Sequence, residues 1–413
     1  MESLPEPVLD KILMDLSLKQ LFQLKNPGKN AVHSSFIFSS KRCLKIKEKL
    51  VIKTRKKRRR SNGDQDNEQN LLDNDFFYNN FKDVISSMTG LKEVTGVPRH
   101  SEILAFLLKT CKNIDSLEAK LQGNSDFDFL QNQSLKMKNL NLWFLNNHSS
   151  LTSILSACPS LENLSLNVLS YDFPSIDLPK GLRTLTIQDV SHWTHQEYQI
   201  HVFSSPAIQT LEEITVNHVE LYPFQVKPAP KLRKLTSNKP IDSRILTSLA
   251  MFSPFLTDLE MKMPEDGTPF SMEIRTLIRA KFTSITREEL KEVIDKNPRI
   301  EELSFSFRGT KRKEVLTHEL IRLRNLVKLD LSSNDKYYQF SFESILFFLE
   351  NRASKEKPIE MVVDINLYSD TEYRTPLLNE ISRQKDLGSK IVCRIGDLDP
   401  ERDFYDYYKY LGL

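Results

Sequence analysis

The feature that most constrains this chain is a unit it keeps copying. Its cleanest copy is residues 151–166, LTSILSACPSLENLSL. Leu151, Ile154 and Leu155 fall at helical spacing, and Pro159 stops the helix. Leu161, Leu164 and Leu166 follow, and the last two alternate as a short strand does. One helix returns onto one strand, and neither buries its apolar side alone, so the unit needs neighbours stacked on both sides. With Leu161 as an anchor, anchors with an apolar residue three further on recur at Leu91, Ile114, Met137, Leu161, Leu182, Leu211, Leu232, Leu256, Ile274, Ile300 and Leu326. Successive spacings are 23, 23, 24, 21, 29, 21, 24, 18, 26 and 26 residues. The positions ten, seven and six before the anchor are also apolar in several units: Phe81, Val84, Ile85; Leu104, Leu107, Leu108; Leu246, Leu249, Ala250; Leu290, Val293, Ile294. Two independent regularities in register predict a solenoid of β–α repeats.

The chain resembles leucine-rich-repeat proteins, and among them the F-box type. The unit KFTSITREELKEVIDKNPRIEEL, within residues 274–303, is similar to that subfamily's longer repeat, and Thr286 with Glu289 forms a capping box for its helix. Few strands carry the family's Asn or Cys after the leucines, and Arg279 stands where an apolar residue is expected. The fold class expected is α/β: a leucine-rich-repeat solenoid, with a curved parallel sheet and outer helices, preceded by a small all-helical F-box. The expected domains are residues 1–50, the F-box; 51–74, a basic and polar disordered linker; 75–335, the solenoid; and 336–413, irregular C-terminal repeats and a cap.

The N-terminal residues carry the F-box resemblance. Val8, Leu9, Ile12, Leu13 and Leu16 share one helical face after Pro5 and Pro7, and Ser17 with Gln20 opens a second short helix. On periodicity alone this region is too small to close a core, and it suits a cap on the first repeat as well as a separate element. The F-box motif runs Leu-Pro, a Leu-rich helix, then Leu-Ser and a second helix. Leu4, Pro5, Leu9, Ile12, Leu13, Leu16, Ser17, Leu21 and Leu24 fall on those positions. The match weakens after Leu24, where KNPGKNAVHSSFIF lacks the family's Trp. The resemblance implies that Leu4, Pro5, Val8, Leu9, Ile12, Leu13, Leu16, Leu21 and Leu24 bind a Skp-type adaptor, and through it cullin and RING subunits. It further implies a non-catalytic, substrate-recognition subunit of an SCF ubiquitin ligase. The alternative is a non-catalytic scaffold whose N-terminal helices only cap the solenoid.

Charge is uneven. The net charge is +3, yet residues 41–60 hold twelve Lys/Arg and one Glu, or +11, which leaves −8 for the rest. That balance argues against nucleic acid as a partner of the repeats. The densest run, Lys53, Arg55, Lys56, Lys57, Arg58, Arg59 and Arg60, reads as a nuclear import signal or as a solvated charge run. Nuclear or cytoplasmic placement is expected. No apolar run approaches the roughly 18 residues of a membrane span, and the start carries no secretory pattern. Cys111 and Cys158 share the slot three before an anchor, which predicts small buried residues in a reducing compartment.

Along each strand, residues flanking the buried leucines should line one polar face. That predicts a set including Asn139, Asn141, Trp143, Ser165, Asn167, Thr186 and Gln188, suited to gripping a protein client whose identity the sequence does not give. Further slots are Asp258, Glu260, Lys262, Glu302, Ser304, Lys328, Asp330 and Ser332. Beyond Leu331 a helix at residues 345–349 and strands in IEMVVDINL and KIVCRI are expected. The tail DPERDFYDYYKYLGL reads as a cap. No nucleotide-binding glycine motif and no G-x-S-x-G or H-E-x-x-H occurs, so no catalytic residue and no cofactor is expected. His192, His195 and His201 lack metal-ligand spacing, so no metal is expected.

Overall fold

The computed structural model describes residues 43–45, 91–97, 101–122, 127–130, 133–145, 148–168, 177–189, 198–200, 202–221, 225–264, 273–308, 317–331, 340–366 and 371–396. The chain divides into two compact units, Met1–Tyr198 and Gln199–Leu413. Both are α/β, and each is built on a parallel sheet whose strands follow in chain order, an order compatible with a solenoid. A parallel neighbour requires a crossover between consecutive strands, and the helices lie in those crossovers.

In the first unit the strands are β1 (Cys43–Lys45), β2 (Glu93–Val97), β3 (Ser116–Gln122), β4 (Asn139–Leu145), β5 (Asn163–Val168) and β6 (Thr184–Asp189). Each pairs in parallel with the next. Helix α1 (Ser101–Thr110) links β2 to β3, and α2 (His148–Ser156) links β4 to β5. Register stacks Val94, Leu117, Leu140, Leu164 and Leu185 into one row across the strands, and all five are buried. Sealing each of these leucines from water contributes about 1.5–3 kcal/mol. The sheet begins at β1, inside the stretch that the sequence reading assigns to the F-box.

The second unit holds β7 (Glu213–Asn217), β8 (Lys234–Pro240), β9 (Asp258–Lys262), β10 (Arg279–Ile285), β11 (Glu302–Phe307), β12 (Lys328–Leu331), β13 (Glu360–Asn366) and β14 (Lys390–Gly396). Its floor is the row Ile214, Leu235, Leu259, Ala280, Leu303, Leu329, Met361 and Ile391. The helices are α3 (Ser243–Phe252), α4 (Arg287–Lys296), α5 (Thr317–Leu320), α6 (Phe342–Asn351) and α7 (Arg374–Asp386). From α4 to α7 each packs on the next, in the order of the strands. Three of the helical triads behave as their spacing predicts, and in α3 Leu246 and Leu249 are buried with Ile245, while Ala250 is half-buried. Leu104, Leu107 and Leu108, Leu151, Ile154 and Leu155, and Leu290, Val293 and Ile294 are all buried. The expected capping box is present: the Thr286 hydroxyl accepts from the Glu289 amide, and the Glu289 carboxylate accepts from the Thr286 amide at 2.7 Å. Past Leu331 the sheet continues without a break through β13 and β14.

One turn recurs. The anchor amide donates to the carbonyl three residues back at Leu161–Cys158, Leu182–Pro179, Leu232–Ala229, Leu256–Ser253, Ile300–Asn297 and Leu326–Leu323. In the one discordant repeat it is Leu277 that donates, to Ile274. Leu277, not Ile274, is therefore the anchor. Ala280, three further on, sits in register with Leu259 and Leu303, and the spacings of 18 and 26 become 21 and 23. Both residues are buried, so apolarity alone could not separate them. The corrected register also moves Arg279 out of the apolar row and onto the polar face.

The slot three before the anchor varies with its surroundings. Cys111 and Cys158 fill it with buried free thiols. Asn297 fills it with a buried amide that bridges repeats. Its Nδ2 donates to the Val293 carbonyl at 2.8 Å, and its Oδ1 accepts from the Ile274 amide at 2.8 Å. A buried backbone N–H left without such a partner costs about 1–3 kcal/mol.

Candidate functional site

The side chains that alternate with the buried rows make a polar face on each unit. In the first unit the structure brings all seven sequence-predicted client residues together on β4, β5 and β6. Asn141, Ser165 and Thr186 stand in one row; Trp143, Asn167 and Gln188 stand in the next, with Asn139 beside Asn163 and Thr184. Neighbouring amides and hydroxyls bond across the strands. Asn163 Nδ2 donates to Asn139 Oδ1 at 2.6 Å, Thr184 Oγ1 to Asn163 Oδ1 at 2.5 Å, and Asn167 Nδ2 to Asn141 Oδ1 at 3.0 Å. Asn167 is buried by this packing, whereas Trp143 is half-buried with the Lys120 ammonium 5.7 Å from its ring centroid. The ladder fixes side-chain directions, and its remaining lone pairs and N–H groups face outward.

Beyond Glu93, Glu118 and Lys120 on the face of β2 and β3, this unit carries an alternating row of charge one residue earlier, at the entrance to each strand. Lys92, Asp115, Lys138, Glu162 and Arg183 follow one another, each amide donating to the previous residue's carbonyl. Lys92 reaches Asp115 at 3.3 Å and Lys138 reaches Glu162 at 3.4 Å.

The second unit carries its charge on the face itself. Register places Glu213, Lys234, Asp258, Arg279, Glu302, Lys328, Glu360 and Lys390 side by side, one per strand, with strictly alternating sign. Arg279 grips Asp258 with two donors, Nη2 to Oδ2 at 2.8 Å and Nε to Oδ1. Lys328 and Lys390 lie 3.4 and 3.9 Å from Glu360, and in the next row Lys281 meets Glu260 at 2.6 Å. Burial pushes the Asp258 carboxyl up, but hydrogen bonds from Arg279 and Thr257 and the charges of Arg279 and Lys234 outweigh it. The group is held below its ordinary value. The centre of the row floors a groove of about 260 Å³. Like charges directly opposite one another destabilise a sheet, whereas opposite ones support it.

Sequence reasoning did not assign Lys234, Arg279 or Lys281 to this face, and it met Arg279 only as a charged residue at a position expected to be apolar. For Arg279 and Lys281 the signal was present in L-x-x-A at Leu277, 21 residues from Leu256, a spacing that also separates Leu161 from Leu182 and Leu211 from Leu232. Asp258, Glu260, Lys262, Glu302, Ser304, Lys328 and Asp330 stand on the face as expected. Outside the described residues lie Leu4 to Leu24, the run Lys53 to Arg60, the triad Phe81, Val84 and Ile85, His192, His195, His201, Ser332 and the tail from Asp399.

Burial pushes the thiols of Cys111, Cys158 and Cys393 up to about 11, 12 and 12, so at neutral pH they are protonated packing groups. Among the described residues no group of three His, Cys, Asp or Glu is placed to hold a metal ion, and no helix is long and apolar enough to cross a membrane. No family model matches this chain, and none of the curated proteins compared with it does.

Proposed function

We propose that the chain is a leucine-rich-repeat substrate receptor of a cullin–RING ubiquitin ligase. The N-terminal residues Leu4 to Leu24 form an F-box that binds a Skp-type adaptor, and the polar face of the repeats holds a protein client. The observation that carries the binding half is the in-register face of β4 to β6. Asn141, Ser165, Thr186, Trp143 and Gln188 converge there as pre-oriented hydrogen-bonding groups beside one large aromatic, and Trp is enriched among binding hot spots. The ligase half rests on the resemblance of the N-terminal residues. The chain then acts by proximity. Holding a client lysine near a ubiquitin conjugate carried elsewhere in the complex raises its effective concentration by many orders of magnitude, and no side chain of this protein takes part in the chemistry.

A second reading, a scaffold whose N-terminal segment only caps the repeats, is favoured by one observation: β1 pairs with β2 and so joins residues 43–45 to the sheet. The full chain carrying Leu9→Ala and Leu13→Ala separates the two. The receptor reading expects loss of adaptor co-purification with an unchanged melting temperature. Undiminished co-purification rejects it, and a melting temperature lowered by several degrees with no adaptor bound by the parent chain supports the cap.

A further inference from the structure

The second unit presents an apolar edge. The exposed large hydrophobic residues among those described are Met251, Phe252, Phe255 and Val327, with Phe255 59% exposed. Met251 and Phe252 end α3, Phe255 lies in the turn before β9, and Val327 occupies the strand-entrance position before β12. In the first unit that entrance position carries Lys92, Asp115, Lys138, Glu162 and Arg183. In the second it carries Thr257, Ile278 and Val327 among the strands that follow Phe255. Glu301 is the charged exception. The change opens a groove in which Phe255 and Ile278 lie between Arg233 and Arg299.

Those two arginines are the informative residues. Arg233 and Arg299 are exposed. Among the described residues neither guanidinium has an ion pair, in contrast to Arg279 with Asp258 and Arg287 with Glu319. Arg233 stands immediately before β8 and Arg299 before β11, three strands on. At about 4.8 Å per strand they are roughly 14 Å apart across the sheet, and Arg299 stands two residues before its strand's entrance position, which Glu301 holds, an offset that the long arginine side chains bridge. An extended peptide rises about 3.4 Å per residue, so four residues span that gap. Residues i, i+2 and i+4 of an extended segment point the same way. Acids at i and i+4 therefore reach the two arginines while residue i+2 meets Phe255 and Ile278. Glu301 lies beside Arg299 in the same groove, so the lining carries two cations against one anion. That sum favours an anionic partner and weakens the Arg299 end.

We propose that this edge is a second docking surface, distinct from the polar face, and that it takes an extended protein segment of the pattern acid-x-apolar-x-acid. Arginine pairs carboxylates through two parallel N–H donors, and an exposed aromatic between two arginines has the composition of an interface centre. A nucleic-acid strand fits less well, because its closely spaced phosphates do not match two cations separated by an apolar floor.

The test uses the full chain and a fluorescein-labelled peptide, Gly-Glu-Ser-Leu-Ser-Glu-Gly, followed by anisotropy. The expected result is saturable binding that weakens at least tenfold when both acids become lysine, and at least tenfold with Phe255→Ala. Arg233→Gln with Arg299→Gln should weaken binding and remove most of its salt dependence. These residues are exposed, so circular dichroism and melting should match the parent chain. Thr186→Ala on the polar face should leave the affinity unchanged. Absence of saturable binding, equal binding of the lysine peptide, or tighter binding of a labelled single-stranded DNA of the same length would each overturn the proposal.

Discussion

The two units have hydrophobic floors of the same kind and differ by one residue in where an unbroken alternation of charge runs. In the first, Lys92, Asp115, Lys138, Glu162 and Arg183 alternate at the strand entrances, and the face behind them on β4 to β6 is mainly amide and hydroxyl, with Glu93, Glu118 and Lys120 the charges on β2 and β3. In the second, alternation moves onto the face, from Glu213 through Arg279 to Lys390. The entrances then turn apolar at Ile278 and Val327. A repeat's core leaves its exterior nearly free, because the buried row dictates only every second side chain. Shifting one property along by a single residue changes both surfaces together: the face becomes ionic and the edge becomes greasy.

The largest expected effect treats the units alike. Leu164→Ala in the first and Leu303→Ala in the second should each cost about 2–5 kcal/mol, since both remove a buried leucine from the same kind of row. Chemical denaturation would measure it, and costs differing several-fold would break the claim of a common floor. A smaller effect should separate the units at one equivalent slot. Asn297→Ala strands the Ile274 amide and should cost about 1–3 kcal/mol, while Cys158→Ala removes only a small packed thiol and should cost under about 1 kcal/mol. Equal costs would show that the Asn297 bridge contributes nothing.

The smallest effect concerns the faces. Arg279→Gln should cost no more than about 1 kcal/mol, because the arginine is half-exposed. That cost should shrink in 1 M salt, where screening acts over about 3 Å. Asn163→Ala should cost a similar amount at any salt concentration. Acid sharpens the contrast. Asp258 has a folded pKa below its unfolded one, so its contribution is present above the unfolded value, near 4, and fades as pH falls through the lower folded value. Asp242, held low by its hydrogen bond from Arg244, and Glu380, held low by Arg383, act in the same direction. Denaturation midpoints at pH 6 and pH 3 should differ less for Asp258→Asn than for the parent chain.

Much of this was legible in the residues. Three helical triads, most of a fourth and ten of the eleven anchors followed from spacing, and Thr286 with Glu289 was visible as a capping pair. The seventh-strand region to β9 kept the L-x-x-L rhythm, and the polar face of β4 to β6 followed from alternation alone. The slip at Ile274 had a physical cause. Two apolar residues three apart both satisfy a burial pattern, and only the turn from Leu277 to Ile274 distinguishes them. The charge row was illegible for a related reason. Sign alternation between strands about 21–32 residues apart appears only when register is known, and one misplaced anchor hides it. The edge around Phe255 carried no sequence mark, because a lone exposed phenylalanine is ordinary until its neighbours are placed.

The row from Glu213 to Lys390 also bears on how the second unit assembles. Tandem repeats look alike, and a strand that docks one place too far along would still find aliphatic partners: Ile214 would accept Leu259, and Leu235 would accept Ala280. Parity forbids it. Skipping one strand sets Glu213 against Asp258, Lys234 against Arg279, Glu302 against Glu360 and Lys328 against Lys390, repulsion at every step. Misassembly between neighbouring elements is a characteristic failure of repeat proteins. The greasy layer makes these strands cohere, and the salt row makes them count.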